Sequence, residues 1–100
     1  MLTKQEIIKT IQDNKELIKS FGVVEIGLFG SYVRNEQTEH SDIDFLVDIK
    51  KEKKTLKNYI DFCDALENLF LNNKIDVVSK KGLSEFIGPH ILREVNYVEI

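Results

Sequence analysis

The residues with chemical potential lie in one stretch, Leu28 to Val47, which reads LFGSYVRNEQTEHSDIDFLV. A hydrophobic run ends in Gly30-Ser31, ten residues follow, and Asp42-Ile43-Asp44 opens a second hydrophobic run. Glycine reaches backbone angles closed to other residues, so Gly30 suits a sharp exit from a strand and leaves room for a ligand near the backbone. Ser31 adds a hydroxyl and an N–H where a helix can begin, a natural place for a phosphate oxygen. Alternation along a strand points Asp42 and Asp44 the same way. Their Cα atoms then lie roughly 6.6 Å apart at about 3.3 Å per residue. Two ionised carboxylates at ~6 Å repel by nearly 3 kcal/mol at an effective dielectric of about 20. The pair calls for protons or a divalent cation, and magnesium takes one or two carboxylates together with substrate phosphates.

The elements around these residues can be read in order. Thr3 and Glu6 form a capping-box pattern that predicts a helix to about Lys19, with Ile7, Ile8, Ile11, Leu17 and Ile18 on its apolar face. Ser20 to Gly22 breaks it. Val23 to Phe29 is the first strand, with Val24, Ile26 and Leu28 facing away from Val23, Glu25, Gly27 and Phe29. Tyr32 to Asn35 predicts a short helical turn, in which Asn35 tolerates left-handed angles. Arg34 divides evenly between gripping phosphate with paired donors and pairing with Glu36 or Glu39. His40 reads as a solvated loop residue. Asp42 to Ile49 is the second strand, Asp48 being a solvated acid toward its end.

A lysine-rich loop, Lys50 to Lys57, leads into a helix from about Thr55 to Leu71. Leu56, Tyr59, Ile60, Cys63, Leu66, Leu69 and Phe70 recur there at helical spacing. Lys74 to Ser79 is a short third strand, in which Asp76 sits inside an apolar run and either needs a partner if buried or faces solvent on an edge strand. Leu83, Phe86, Ile87, Ile91 and Leu92 form a compact apolar segment. Pro89 opens a short last helix with His90 on its surface, and Asn96 to Ile100 either adds a final short strand or lies along the core.

The Gly-Ser pair, ten residues and Asp-x-Asp resemble the nucleotidyltransferase superfamily that includes DNA polymerase β and the aminoglycoside nucleotidyltransferases. The wording Ser-Asp-Ile-Asp-Phe-Leu-Val and the tail Ile91-Leu92-Arg93-Glu94-Val95 are similar to the minimal nucleotidyltransferase (MNT) antitoxins encoded beside HEPN-domain toxins. That resemblance covers nearly the whole chain. It implies an α/β fold, a small mixed sheet with helices packed mainly on one face. It makes Asp76 a third carboxylate beside Asp42 and Asp44, as metal ligand or general base. Gly30 and Ser31 would hold the triphosphate, with Arg34 a further candidate. Tyr32 and Asn35 depart from the arginine and glycine that many relatives carry at those positions.

The implied reaction is magnesium-dependent transfer of AMP from ATP, with two metal ions, to a tyrosine hydroxyl of a HEPN ribonuclease toxin held in a hetero-oligomer. An antitoxin acting by occlusion and a small-molecule nucleotidyltransferase are the rivals.

Bulk properties agree. The 100 residues suit a single domain over 1–100, with 42% hydrophobic and 31% charged residues. A net charge of −3 with no basic stripe argues against tight nonspecific nucleic-acid binding. Cys63 is the only cysteine, so no internal disulfide forms. Lys4, Glu6 and Lys9 interrupt any apolar run near the start, and no stretch approaches a membrane span, so a cytoplasmic location is expected. With few residues left after the core elements, the acceptor is expected to come from another molecule.

Overall fold

A computed structural model describes residues 2–83 and 85–100. The first helical region is two helices, α1 (Lys4–Asp13) and α2 (Lys15–Ser20), stepping at Asn14. The capping box is present: Thr3 Oγ1 accepts from Glu6 N–H and Glu6 Oε1 accepts from Thr3 N–H. Gly22, at φ +82°, makes the turn into β1 (Val23–Phe29). A four-residue helix α3 (Ser31–Arg34) and a loop lead to β2 (Ile43–Ile49). Helix α4 (Leu56–Leu69) then crosses to β3 (Ile75–Ser79), and α5 (Gly88–Glu94) ends in β4 (Asn96–Tyr97).

The sheet order is β3-β2-β1-β4. Strand β1 runs antiparallel to β2 and β4, whereas β2 and β3 are parallel. The parallel pair needs a crossover, and α4 supplies it. Helices α1, α2 and α4 close one face. Ile7, Ile11, Ile18, Phe62 and Leu66 meet Ile26, Leu28, Ile43, Phe45 and Val47 in a single core. Burying each large side chain contributes roughly 1.5–3 kcal/mol. The mixed sheet with helices mainly on one face is as the sequence implied.

Several expectations need correction. The periodicity along β1 is broken by a bulge: Val23 pairs with Ile49 and Glu25 with Asp48, leaving Val24 as the extra residue. Val23 is therefore in the core at 3% exposure, and Val24 points out at 54%. Leu17, Leu56 and Ile60 are exposed rather than packed, and Phe62 takes the central place on α4. The stripe that meets the sheet runs through Tyr59, Phe62, Leu66 and Phe70, so Leu56 and Ile60 fall on its flank. The C-terminal apolar residues do not form a compact unit: Ile91 is buried, but Phe86 is 86% exposed, and Ile87 and Leu92 are also exposed. No helix among the described residues is long and apolar enough to cross a membrane.

The open face of the sheet is where the chain's end returns. Gly27 pairs with Leu46 and with Tyr97. Val95 lies so close over Gly27 that a Cβ there would overlap its Cγ2. A residue with no side chain is what lets the end of α5 reach the strand.

Candidate active site

Strand β1 carries the chain to Phe29 at the end of the strand, and Gly30 turns it into α3. Its angles, φ +80° and ψ −154°, belong to a region essentially restricted to glycine. A Cβ on Gly30 would overlap Asp44 Oδ2, so the missing side chain is also what seats the carboxylate. Gly30 C=O accepts from Val33 N–H at 3.1 Å and Arg34 N–H at 3.2 Å, closing the turn of α3. Asn35 ends it in the left-handed conformation at φ 59°, the role expected of it. The Ser31 hydroxyl makes no hydrogen bond among the described residues.

The loop into β2 braces itself. Thr38 N–H donates to Ser41 Oγ at 2.8 Å, and Ser41 N–H donates to Thr38 C=O at 3.0 Å. That closed loop delivers Asp42 to the strand start. His40 is exposed, with its N–H on Thr38 Oγ1, as a solvated loop histidine would be.

Phe29 pairs with Asp44 across the antiparallel ladder, and Asp44 pairs with Asp76 across the parallel one. Partners in register share a face, so Asp44 and Asp76 lie side by side on the face opposite the helices. Asp76 is exposed on an edge strand, and the cost of burial anticipated for it does not arise. Asp44 is partly buried, and its carboxyl is pushed up from 3.8 to about 6. Burial is the main cause, followed by the charges of Asp76 and Asp42. Arg34 pulls in the opposite direction. The other two acids predicted from sequence, Asp42 and Asp76, thus both act on Asp44.

Asp48 departs from its expected role. Its side chain is only 19% exposed. Oδ1 is buried with no hydrogen-bond partner among the described residues, and Lys81 Nζ, at 3.9 Å, is too far to supply one.

Arg34 makes the Glu36 contact weighed from sequence, Nε to Oε1 at 2.7 Å. Its second partner was missed: Glu94 Oε1 accepts from Arg34 Nη1 at 2.7 Å and from Gly30 N–H at 2.6 Å. An acid at the last position of a helix opposes the helix dipole. That placement was the available signal, but it names no partner 60 or 64 residues away. Tyr32 is buried behind the turn, its hydroxyl accepting from Asn73 Nδ2 at 3.1 Å. The side chain is thereby committed to the interior. Burial also pushes the Cys63 thiol up, against a reactive role.

No three of the described His, Cys, Asp or Glu side chains are gathered tightly enough to cage a metal alone. Magnesium does not require such a cage, since it retains waters and takes ligands from substrate phosphates. Hard carboxylate oxygens, with Asp44 already held back from ionising by burial and by its acidic neighbours, fit that cation.

Residues 5–98 match the family described as polymerase beta, nucleotidyltransferase. The chain is 46% identical over 99 residues to protein adenylyltransferase MntA of Thermococcus cleftensis, covering 98% of each. It is 34% identical over 101 residues to a Methanocaldococcus jannaschii protein assigned as a protein adenylyltransferase, covering 98% of this chain and 100% of that one. A solved structure assigned as a minimal nucleotidyltransferase matches with a TM-score of 0.70 at 33% identity, over 89% of this chain and 93% of the other. A chain from a toxin–antitoxin crystal structure with AMP-PNP matches in fold, with a TM-score of 0.67 at 23% identity, over 98% of this chain and 73% of that one.

Proposed function

This chain belongs to the polymerase β nucleotidyltransferase family, and from that premise we propose that it transfers AMP from ATP to a hydroxyl of a HEPN ribonuclease toxin and so neutralises it. The observation that carries the reading is the register of Asp44 with Asp76 beside the Gly30 turn, with the Asp44 carboxyl raised to about 6 by burial and its acidic neighbours. Acids held together at such a cost are what a cation-dependent phosphoryl site requires. Support for the acceptor being a protein comes from the name of the 46% identical, full-length relative.

In this reading Asp42 and Asp44 would hold magnesium, with Asp76 as a further ligand or as general base, and the Gly30-Ser31 turn would receive the triphosphate. Arg34 adds positive charge at the edge of that turn. Magnesium, when bound there, would supply charge neutralisation at the phosphates. The acceptor oxygen forms a bond to the α-phosphorus while the bond from that phosphorus to the β-bridging oxygen breaks. Pyrophosphate leaves, and the hydroxyl proton passes to a carboxylate, for which exposed Asp76 is the candidate. Gly30 excludes any side chain from the space between the turn and Asp44. Positioning and electrostatics account for most of the rate in such reactions. The whole chain acts as one domain, in the cytoplasm where ATP is available, and the tyrosine-bearing toxin is its partner in a hetero-oligomer.

The test is incubation with magnesium, α-phosphate-labelled ATP and the HEPN protein encoded beside it. Label on the partner that disappears with D42N/D44N supports the proposal. Label on a small molecule without a protein partner would move the acceptor class. A tight complex with no label, with any nucleotide and with manganese, would leave an antitoxin acting by occlusion.

A further inference from the structure

Glu94 is held from both sides by the fold. Within α5, Ile91 is buried and its C=O accepts from Val95 N–H at 2.9 Å. On the other side Val95 packs over Gly27, and Asn96 pairs with Leu28. The side chain between these anchors is 25% exposed. One oxygen, Oε1, bridges the Gly30 N–H and Arg34 Nη1. Charge-assisted bonds of this kind are roughly twice as strong as neutral ones.

The Gly30 N–H belongs to the peptide plane that joins β1 to the turn. Tying it down sets the orientation of that plane, and with it where Ser31 points and how Asp44 sits against Gly30. Arg34 is meanwhile stretched between Glu36 and Glu94, which pins the far end of α3. A loose surface pair would engage only the arginine. Engagement of a strand-end amide in a glycine-only conformation ties the last helix to the nucleotide-binding turn.

We infer that Glu94 is a positioning residue for the nucleotide site, clamping the Gly30 peptide and Arg34 so that the turn and Asp44 keep one geometry. This rests on the site proposed above, and the experiment separates the two. Glu94→Ala and Glu94→Gln are compared with the unmodified chain in three measurements: amide hydrogen exchange at Gly30, magnesium-ATP binding, and kcat and KM for AMP transfer.

Glu94→Ala is expected to lose Gly30 amide protection and to weaken kcat/KM by about 10- to 100-fold, the range for one lost charged hydrogen bond. Glu94→Gln should restore most of both, because its amide oxygen can accept the same two bonds. Unchanged kcat/KM in Glu94→Ala at an unchanged melting temperature would overturn the inference. So would tighter ATP binding in Glu94→Ala, which would make the carboxylate a competitor for a phosphate seat. If no chain transfers AMP, the proposed function fails by itself. The clamp is then judged on Gly30 exchange and ATP binding, and unaltered values in Glu94→Ala refute it.

Discussion

Replacing Asp44 with asparagine should stabilise the metal-free protein while removing its activity. The carboxyl sits at about 6 rather than 3.8, so the folded state resists its ionisation. Between these values the native state binds more protons than the unfolded chain, and stability falls as pH rises through that window. The penalty is absent below the unfolded value and complete above about 6. Two units at about 1.36 kcal/mol each give an upper bound of ~3 kcal/mol. Asp44 is partly exposed, so roughly 1–2 kcal/mol survives solvent screening.

Asparagine is nearly isosteric, and the carboxylate makes no side-chain hydrogen bond among the described residues that it would lose. For a domain of 100 residues, a melting temperature higher by roughly 5–10 °C follows. Thermal melts in a chelator at pH 7.5 and pH 4 are the assay. The difference between the two proteins should be large at the higher pH and close at the lower. Magnesium should raise the melting temperature of the unmodified chain and leave Asp44→Asn nearly unmoved. A variant that melts lower at pH 7.5, or a difference independent of pH, would refute the electrostatic account.

The remaining predictions concern backbone geometry. Gly30→Ala meets both a glycine-only conformation, costing about 1–3 kcal/mol, and the Asp44 carboxylate. Urea unfolding should show a loss of at least ~2 kcal/mol together with loss of transfer, and a change within ~0.5 kcal/mol would contradict the packing described. Val23→Asp should unfold much of the population by burying an unpaired charge, whereas Val24→Asp should stay within about 1 kcal/mol. Equal effects in thermal melts would mean that the bulge is misplaced.

Much was legible because the signals were local. Thr3 and Glu6 form their capping box within one turn, and the alternation in β2 separates Phe45 and Val47 from Asp44 on the opposite face. Gly30, Ser31, Asp42 and Asp44 stand out as candidates by type and spacing. Phase errors arose where a local pattern met a tertiary constraint. One extra residue in β1 exchanges Val23 for Val24, and periodicity alone cannot see a bulge that pairing with β2 creates. On α4, several apolar residues compete for the sheet, and the packing buries Phe62 while leaving Leu56 in solvent. The C-terminal apolar residues suggested packing, yet only Ile91 among them reaches the interior.

What the amino-acid order determined by itself was the chemistry available: a glycine-serine turn, paired acids at a strand start and a single acid on a later strand. These depend on backbone preferences and side-chain alternation, which act over a few residues. The folded structure decided what those groups feel and what holds them. Asp76 meets Asp44 only because a parallel ladder brings β3 beside β2, and that proximity together with burial raises the Asp44 carboxyl. Glu94 reaches Gly30 only because the last helix ends over Gly27, where a missing Cβ leaves room for it. Burial and long-range charge act through space, so they come into being when the sheet closes.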